Sequence, residues 1–120
     1  MNTQEIAEKM IAYNREGKFP DVFTDLFSED FVSIEMPGMP NEVVQGLDAA
    51  VKKGEWWFSQ VDMLGMEVSE PLVAGNWFTV QYKMHTKNKE SGEEKHESEI
   101  AVYRVADGKI VQEQFFYDME

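Results

Sequence analysis

Four glutamates have the clearest capacity for chemistry in this sequence. Alternation along predicted strands puts Glu35, Glu97, Glu99 and Glu113 on the side of a sheet that would face its helical cover. When two carboxylates share an apolar pocket, the pKa of at least one of them rises, so that it can act as a general acid or base near neutral pH. We therefore expect proton-transfer chemistry, with Glu35 as the base and Glu113 as a second catalytic group. The alternative for Glu97 and Glu99, which adjoin a charged segment, is that they face water.

Aromatic and methionine side chains are plentiful, with eight Phe, eight Met, four Tyr and three Trp in 120 residues. Most such side chains fill cores, but they also line adaptable apolar pockets, where tyrosine hydroxyls orient a flat ligand. Tyr13, Tyr82 or Tyr117 would then be the hydrogen-bond partner of the base. The residues predicted to bind a ligand are Tyr13, Met36, Trp57, Phe78, Tyr82, Met84, Glu99, Tyr103, Phe115 and Tyr117.

Signatures of metal and cofactor sites are missing from the sequence. The two histidines, His85 and His96, have neither the HxxxH nor the HxH spacing, and there is no cysteine. No Gly-rich phosphate loop, nucleophile elbow or nucleotide-binding fingerprint is present. We therefore expect no metal and no cofactor.

The charge balance limits the partners of the chain. With 23 acidic and 11 basic residues, the formal net charge is −12. Phosphate backbones and anionic lipids repel such a chain, so we expect neither nucleic acid nor a membrane as a partner, although acidity also serves solubility alone. Since the amino-terminal residues lack the pattern of a secretion signal, we expect a cytoplasmic protein.

The elements that position these groups follow from local patterns. Asp107-Gly108 between two alternating runs predicts a long antiparallel hairpin. Its apolar residues occupy both faces, so we expect helices over one face and a second subunit against the other. The residues that suit this dimer contact are Ile100, Val102, Ile110 and Phe116.

The remaining periodicities predict one α+β domain over residues 1–120. The expected helices span 3–16, 20–27 and 46–58, and the expected strands span 31–36, 61–73, 77–87, 97–105 and 109–117. The segment from Met36 to Asn41 has two prolines and a glycine and is predicted to be a loop at the rim of a pocket. Three helices on a strongly curved antiparallel sheet leave a conical hollow between them.

This pattern resembles the nuclear-transport-factor-2-like (NTF2-like) superfamily, and within it the SnoaL-like branch of polyketide cyclases and ketosteroid isomerases. The resemblance lies in the passage 25–31, in 46–50 at the start of the third helix, and in 107–111 ahead of Phe116-Tyr117-Asp118. It implies a cone-shaped, cystatin-like architecture, an internal cavity and commonly a homodimer through the sheets. In the isomerases a carboxylate late in the first strand moves a proton on carbon, and Glu35 is similarly placed. In the cyclases an acid near the end of the last strand is catalytic, and Asp118 is similarly placed.

Together these observations predict a SnoaL-like domain that binds an apolar or aromatic small molecule. It would act as a cofactor-independent isomerase, cyclase or dehydratase by general acid–base proton transfer. The alternative is a non-catalytic dimeric module for ligand binding or an adaptor. Convergent polar groups with a shifted carboxylate would favour the enzyme, whereas a filled or wholly apolar interior would favour the alternative.

Overall fold

A computed structural model describes residues 1–118 of the chain. The helices are α1 (Thr3–Arg15), α2 (Phe19–Leu26) and α3 (Leu47–Gln60). The strands are β1 (Phe27–Ile34), β2 (Val43–Gln45), β3 (Val61–Val68), β4 (Leu72–Ala74), β5 (Trp77–Asn88), β6 (Glu94–Ala106) and β7 (Lys109–Phe116). No helix among these residues is long and apolar enough to span a bilayer.

The first helix has a capped amino-terminal end and one buried face. Asn2 and Glu5 make a reciprocal capping box that uses two backbone N–H groups left open at the start of a helix. The buried stripe recurs at three- and four-residue spacing and consists of Ile6, Ala7, Met10 and Ile11. This stripe packs on the inner face of the sheet, as the sequence predicts.

One sheet contains all the strands, in the order β2-β1-β7-β6-β5-β3, with β4 also paired to β5. All pairs are antiparallel except β1 with β7, which run parallel. Register shifts interrupt three of the pairs, β1–β7, β3–β5 and β6–β7. Such bulges bend a strand and increase its twist, which lets the sheet curl around the helices. The predicted α+β architecture is confirmed, and the parallel pair was not foreseen.

The predicted hairpin is present and pairs β6 with β7. Asp107 and Gly108 have φ angles of 51° and 76°, the positive values that a tight two-residue turn requires. Thr86 on β5 pairs with Lys95, so β6 begins earlier than predicted and extends the wall of the sheet.

Three details of the predicted elements are wrong. Phe27 is the first residue of β1, not part of the second helix. The run 61–73 forms two strands, β3 and β4, because Pro71 has no backbone N–H to donate to the ladder and β3 ends before it. Ile110, assigned to the outer face, is fully buried at 0% exposure, because Val111 is skipped in the pairing and the side chains before it reverse direction.

Candidate functional site

A cavity of about 1110 Å³ lies between the helices and the inner face of the sheet. Ten of the residues predicted for the site line it: Glu35, Trp57, Tyr82, Met84, Glu99, Tyr103, Glu113, Phe115, Tyr117 and Asp118. The sheet contributes most of the tyrosines and carboxylates, and α3 contributes Trp57 and Lys53. The interior is therefore neither filled nor wholly apolar.

Glu35 lies immediately after β1 and is held at both carboxylate oxygens. The Lys53 ammonium is 3.0 Å from Oε1, and both side chains are mostly buried. The Tyr117 hydroxyl donates a hydrogen bond of 2.8 Å to Oε2. Burial raises the pKa of Tyr117, and this hydrogen bond to Glu35 raises it further, so the phenol keeps its proton.

Glu113 lies on β7 beside Ser33 of β1, and the two residues are paired in the parallel ladder. The Ser33 hydroxyl donates to Glu113 Oε2 at 2.9 Å, and Lys53 Nζ donates to Ser33 Oγ at 2.9 Å. Burial raises the pKa of Glu113 to about 7, against the lowering effects of Ser33, Lys53 and Tyr103, while the charge of Glu35 adds to the rise. Glu113 therefore exchanges its proton near neutral pH.

Glu99 lies on β6 and is the least supported carboxylate of the site. Within residues 1–118 its side chain forms no hydrogen bond. Burial raises its pKa to about 8, and the nearby carboxylates of Glu35, Glu113 and Glu97 raise it further, against the charge of Lys53. At pH 7 the protonated form of Glu99 predominates.

A buried tyrosine pair lines the cavity next to Glu99 and Glu113. In the ladder Tyr82 is opposite Glu99, and Tyr103 is opposite Glu113. The hydroxyl oxygens of Tyr82 and Tyr103 are 2.7 Å apart, and Asn14 Nδ2 donates to the Tyr82 oxygen at 3.2 Å. Burial raises the pKa of both phenols, so both stay protonated across the physiological range.

Three predicted ligand-binding residues lie outside the cavity lining. Tyr13 donates a hydrogen bond to Asp25 of α2, which raises the pKa of Tyr13 to about 12. Phe78 is buried behind Tyr103, with ring centroids 4.9 Å apart. Met36 is likewise absent from the lining, whereas Met39 of the same loop contributes to it.

Sequence reasoning missed Lys53, Ser33 and Asn14 as site residues, although periodicity carried a signal for each. Lys53 falls on the same helical face as Ala50 and Trp57, three positions after one and four before the other. Ser33 shares strand parity with Glu35. Asn14 lies one helical turn beyond a buried residue of α1.

His96 lines the cavity and contacts the other histidine, His85. His85 and His96 are opposite one another on β5 and β6, and their rings stack with centroids 4.0 Å apart. His85 Nε2 is 2.8 Å from Glu94 Oε1. Within residues 1–118, no three histidine or acidic side chains are arranged as ligands of a metal ion.

Helices over a mixed, mostly antiparallel sheet with an internal cavity define an α+β fold. The profile of the SnoaL-like domain matches residues 1–117, and the chain belongs to that family. Among proteins with curated descriptions, none matches the sequence.

Solved structures agree with this assignment. A proposed SnoaL-like polyketide cyclase from Mesorhizobium loti is 29% identical, with a TM-score of 0.93 over 98% of this chain and 100% of that one. An NTF2-like protein from Burkholderia thailandensis is 18% identical, with a TM-score of 0.84 over 98% and 92%. A protein with a cystatin-like fold from Xanthomonas campestris is 18% identical, with a TM-score of 0.80 over 99% and 92%. The NTF2-like and cystatin-like fold predicted from the sequence is thereby confirmed.

Proposed function

We propose that this protein is a cofactor-independent acid–base enzyme, an isomerase, cyclase or dehydratase, acting on an apolar or aromatic small molecule. The observation that supports this is the convergence of two carboxyl groups with pKa values of about 7 and 8, Glu113 and Glu99, on one cavity. Two acids whose environments separate their pKa values provide a base and an acid in the same site at neutral pH.

Glu113 is the base of the proposed reaction. Ser33 donates to the charged form of Glu113, which keeps a large ionised fraction near pH 7 despite burial. The carboxylate removes a proton from a carbon next to a ligand carbonyl, and the electrons of the C–H bond move onto the carbonyl oxygen. Glu35, the base predicted from the sequence, has both oxygens engaged by Lys53 and Tyr117 and takes a supporting role.

The tyrosine pair stabilises the oxygen that gains charge. Only one phenolic proton is used between Tyr82 and Tyr103, so the other proton is left for a further acceptor, either Glu113 or the ligand. A carbonyl oxygen in the cavity is such an acceptor, and a positioned donor to a developing oxyanion contributes on the order of 10²–10³ in rate.

Glu99 is the acid that completes the cycle. Its proton goes to a second carbon in an isomerisation, to the carbonyl oxygen that the carbanion attacks in a cyclisation, or to a departing hydroxyl group in a dehydration. Glu113 then releases its proton to solvent and Glu99 takes one up from solvent, which restores both groups. The name of the M. loti structure, a proposed polyketide cyclase, is compatible with flat, enolisable ligands of this kind.

The outer face of the sheet supports a homodimer as the assembled form. Ile100 is 49% exposed and Phe116 is 44% exposed, and they adjoin a shallow apolar depression. The residues that line this depression are Leu72, Val73, Ala74, Trp77, Phe78, Thr79, Ile100 and Val102. An exposed apolar face of this extent suits burial against a second copy of the chain.

Deuterium exchange into a flat ketone tests the proposed chemistry. The protein is incubated in D₂O with 2-tetralone and a small panel of other enolisable aromatic ketones, and loss of the α-proton signals is followed by NMR. Wild type is expected to accelerate exchange, and Glu113→Gln to reduce the acceleration by about 100-fold or more. Glu67→Gln, at an exposed position outside the cavity lining, is the matched control and should retain activity. Binding of these ketones without any acceleration would favour the non-catalytic ligand-binding module instead.

A further inference from the structure

The hydrogen bonds between Lys53, Ser33 and Glu113 run in one direction only. A charged lysine has three N–H donors and no acceptor, so Ser33 Oγ must accept from Lys53 Nζ at 2.9 Å. The single hydroxyl proton of Ser33 then points away from Lys53. Its acceptor is Glu113 Oε2, also at 2.9 Å.

This direction makes the two oxygens of Glu113 unequal. Oε2 always receives the Ser33 hydrogen bond, whether the carboxyl group is ionised or neutral. A proton that Glu113 acquires therefore goes to Oε1, because a hydroxyl at Oε2 would meet the serine hydrogen. The arrangement selects which oxygen of the base exchanges protons.

We propose that Ser33 is a positioning residue of this site, oriented by Lys53 so that Glu113 presents Oε1 to the bound ligand. This inference rests on the proposed acid–base function. Ser33 is only 1% exposed and lies next to Glu113 in the ladder, so it acts through that carboxylate and has no access to solvent.

Glu35 is the anchor of this chain of hydrogen bonds. Its Oε1 holds Lys53, and its Oε2 is held by Tyr117, so the ammonium group has a fixed place from which to orient Ser33. The titratable groups that act on Glu113 from neighbouring elements, within residues 1–118, are Glu35, Lys53, Tyr82, Glu99 and Tyr103. Of these groups, Lys53 reaches Glu113 through the uncharged Ser33 hydroxyl.

A double-mutant cycle read out by NMR tests the inference without any substrate. The carboxyl ¹³C resonance of Glu113, assigned by its loss in Glu113→Gln, is titrated in wild type, Ser33→Ala, Lys53→Met and the double variant. Ser33→Ala should raise the pKa of Glu113 by about one pH unit, since a hydrogen bond to the charged form is lost. In the Lys53→Met background the same change should have less than half that effect, because the serine hydroxyl is no longer oriented.

Thr86→Val is the matched control, because it removes another buried hydroxyl, 5% exposed, without touching the cavity. It should leave the titration of Glu113 unchanged. An unchanged pKa in Ser33→Ala, or an equal effect of that change in both backgrounds, would overturn the positioning role.

The outcome is separable from that of the proposed enzyme. If Glu113→Gln abolishes deuterium exchange while Ser33→Ala leaves the Glu113 pKa unmoved, only the inference about Ser33 fails. If Ser33→Ala shifts the pKa as expected but Glu113→Gln leaves exchange unaffected, the positioning is real and the catalytic proposal fails.

Discussion

Replacement of Glu113 by Gln should change how the stability of the protein depends on pH. Burial raises the pKa of Glu113 from an ordinary 4.5 to about 7. Because the folded-state pKa lies above the unfolded one, the native state binds the proton more tightly. The stability that this group contributes is therefore complete below pH 4.5 and is lost progressively as the pH rises to about 7.

The size of the effect follows from the same difference. The pKa of Glu113 is about 2.5 units higher in the folded state than in the unfolded state. At about 1.36 kcal/mol per unit, this difference corresponds to about 3 kcal/mol of stability that is lost above pH 7. Most of this loss, about 2 to 3 kcal/mol, falls between pH 5 and pH 8. Gln does not ionise and retains an acceptor for Ser33, so Glu113→Gln should lack this part of the pH dependence.

Urea unfolding followed by tryptophan fluorescence at pH 5 and pH 8 measures the difference. The comparison of wild type with Glu113→Gln reports on Glu113 together with its effect on the pKa of Glu99. Glu67→Gln, outside the cavity, controls for the loss of one acidic residue. If the two proteins lost the same free energy of unfolding between these pH values, Glu113 would have an ordinary pKa. The basis for its role as a base at neutral pH would then disappear.

Three further predictions concern the cavity, the outer face and α3. Trp56 and Trp57 line the cavity and Trp77 does not, so a flat aromatic ketone should alter the fluorescence of wild type and of Trp77→Phe. The double variant Trp56→Phe/Trp57→Phe should lose most of this signal, and an equal loss in Trp77→Phe would contradict the binding site. If the proposed homodimer forms, Ile100→Lys should reduce it to a monomer of 13.9 kDa in light scattering, and a wild type that is already monomeric would refute the proposed dimer. Gly54→Ala should raise the free energy of unfolding by about 1 kcal/mol, because alanine has the higher helix propensity. The new methyl group would lie at an ordinary contact distance of 3.5 Å from Phe23, so a destabilised variant would count against this packing.

The amino-acid sequence by itself determined the elements whose signals are local. Asp107-Gly108 specified a tight turn because a glycine there accepts a positive φ at no steric cost. Apolar spacing specified α1, and strand alternation correctly grouped Ser33 with Glu35 on one face. These features depend on residues only a few positions apart, and helix and strand periods are properties of the local backbone.

The tertiary structure alone decided which of the candidate groups meet and in what state. The parallel pairing of β1 with β7 joins Ser33 to Glu113, 80 positions along the chain, and α3 brings Lys53 to Ser33 and Glu35. Val111 has no partner in the ladder, and this irregularity directs the Ile110 side chain into the core. Strand alternation in the sequence does not predict it. Ladder register and burial depend on the whole packed fold, and the pKa of a carboxyl group follows from that burial, so no local pattern could supply them.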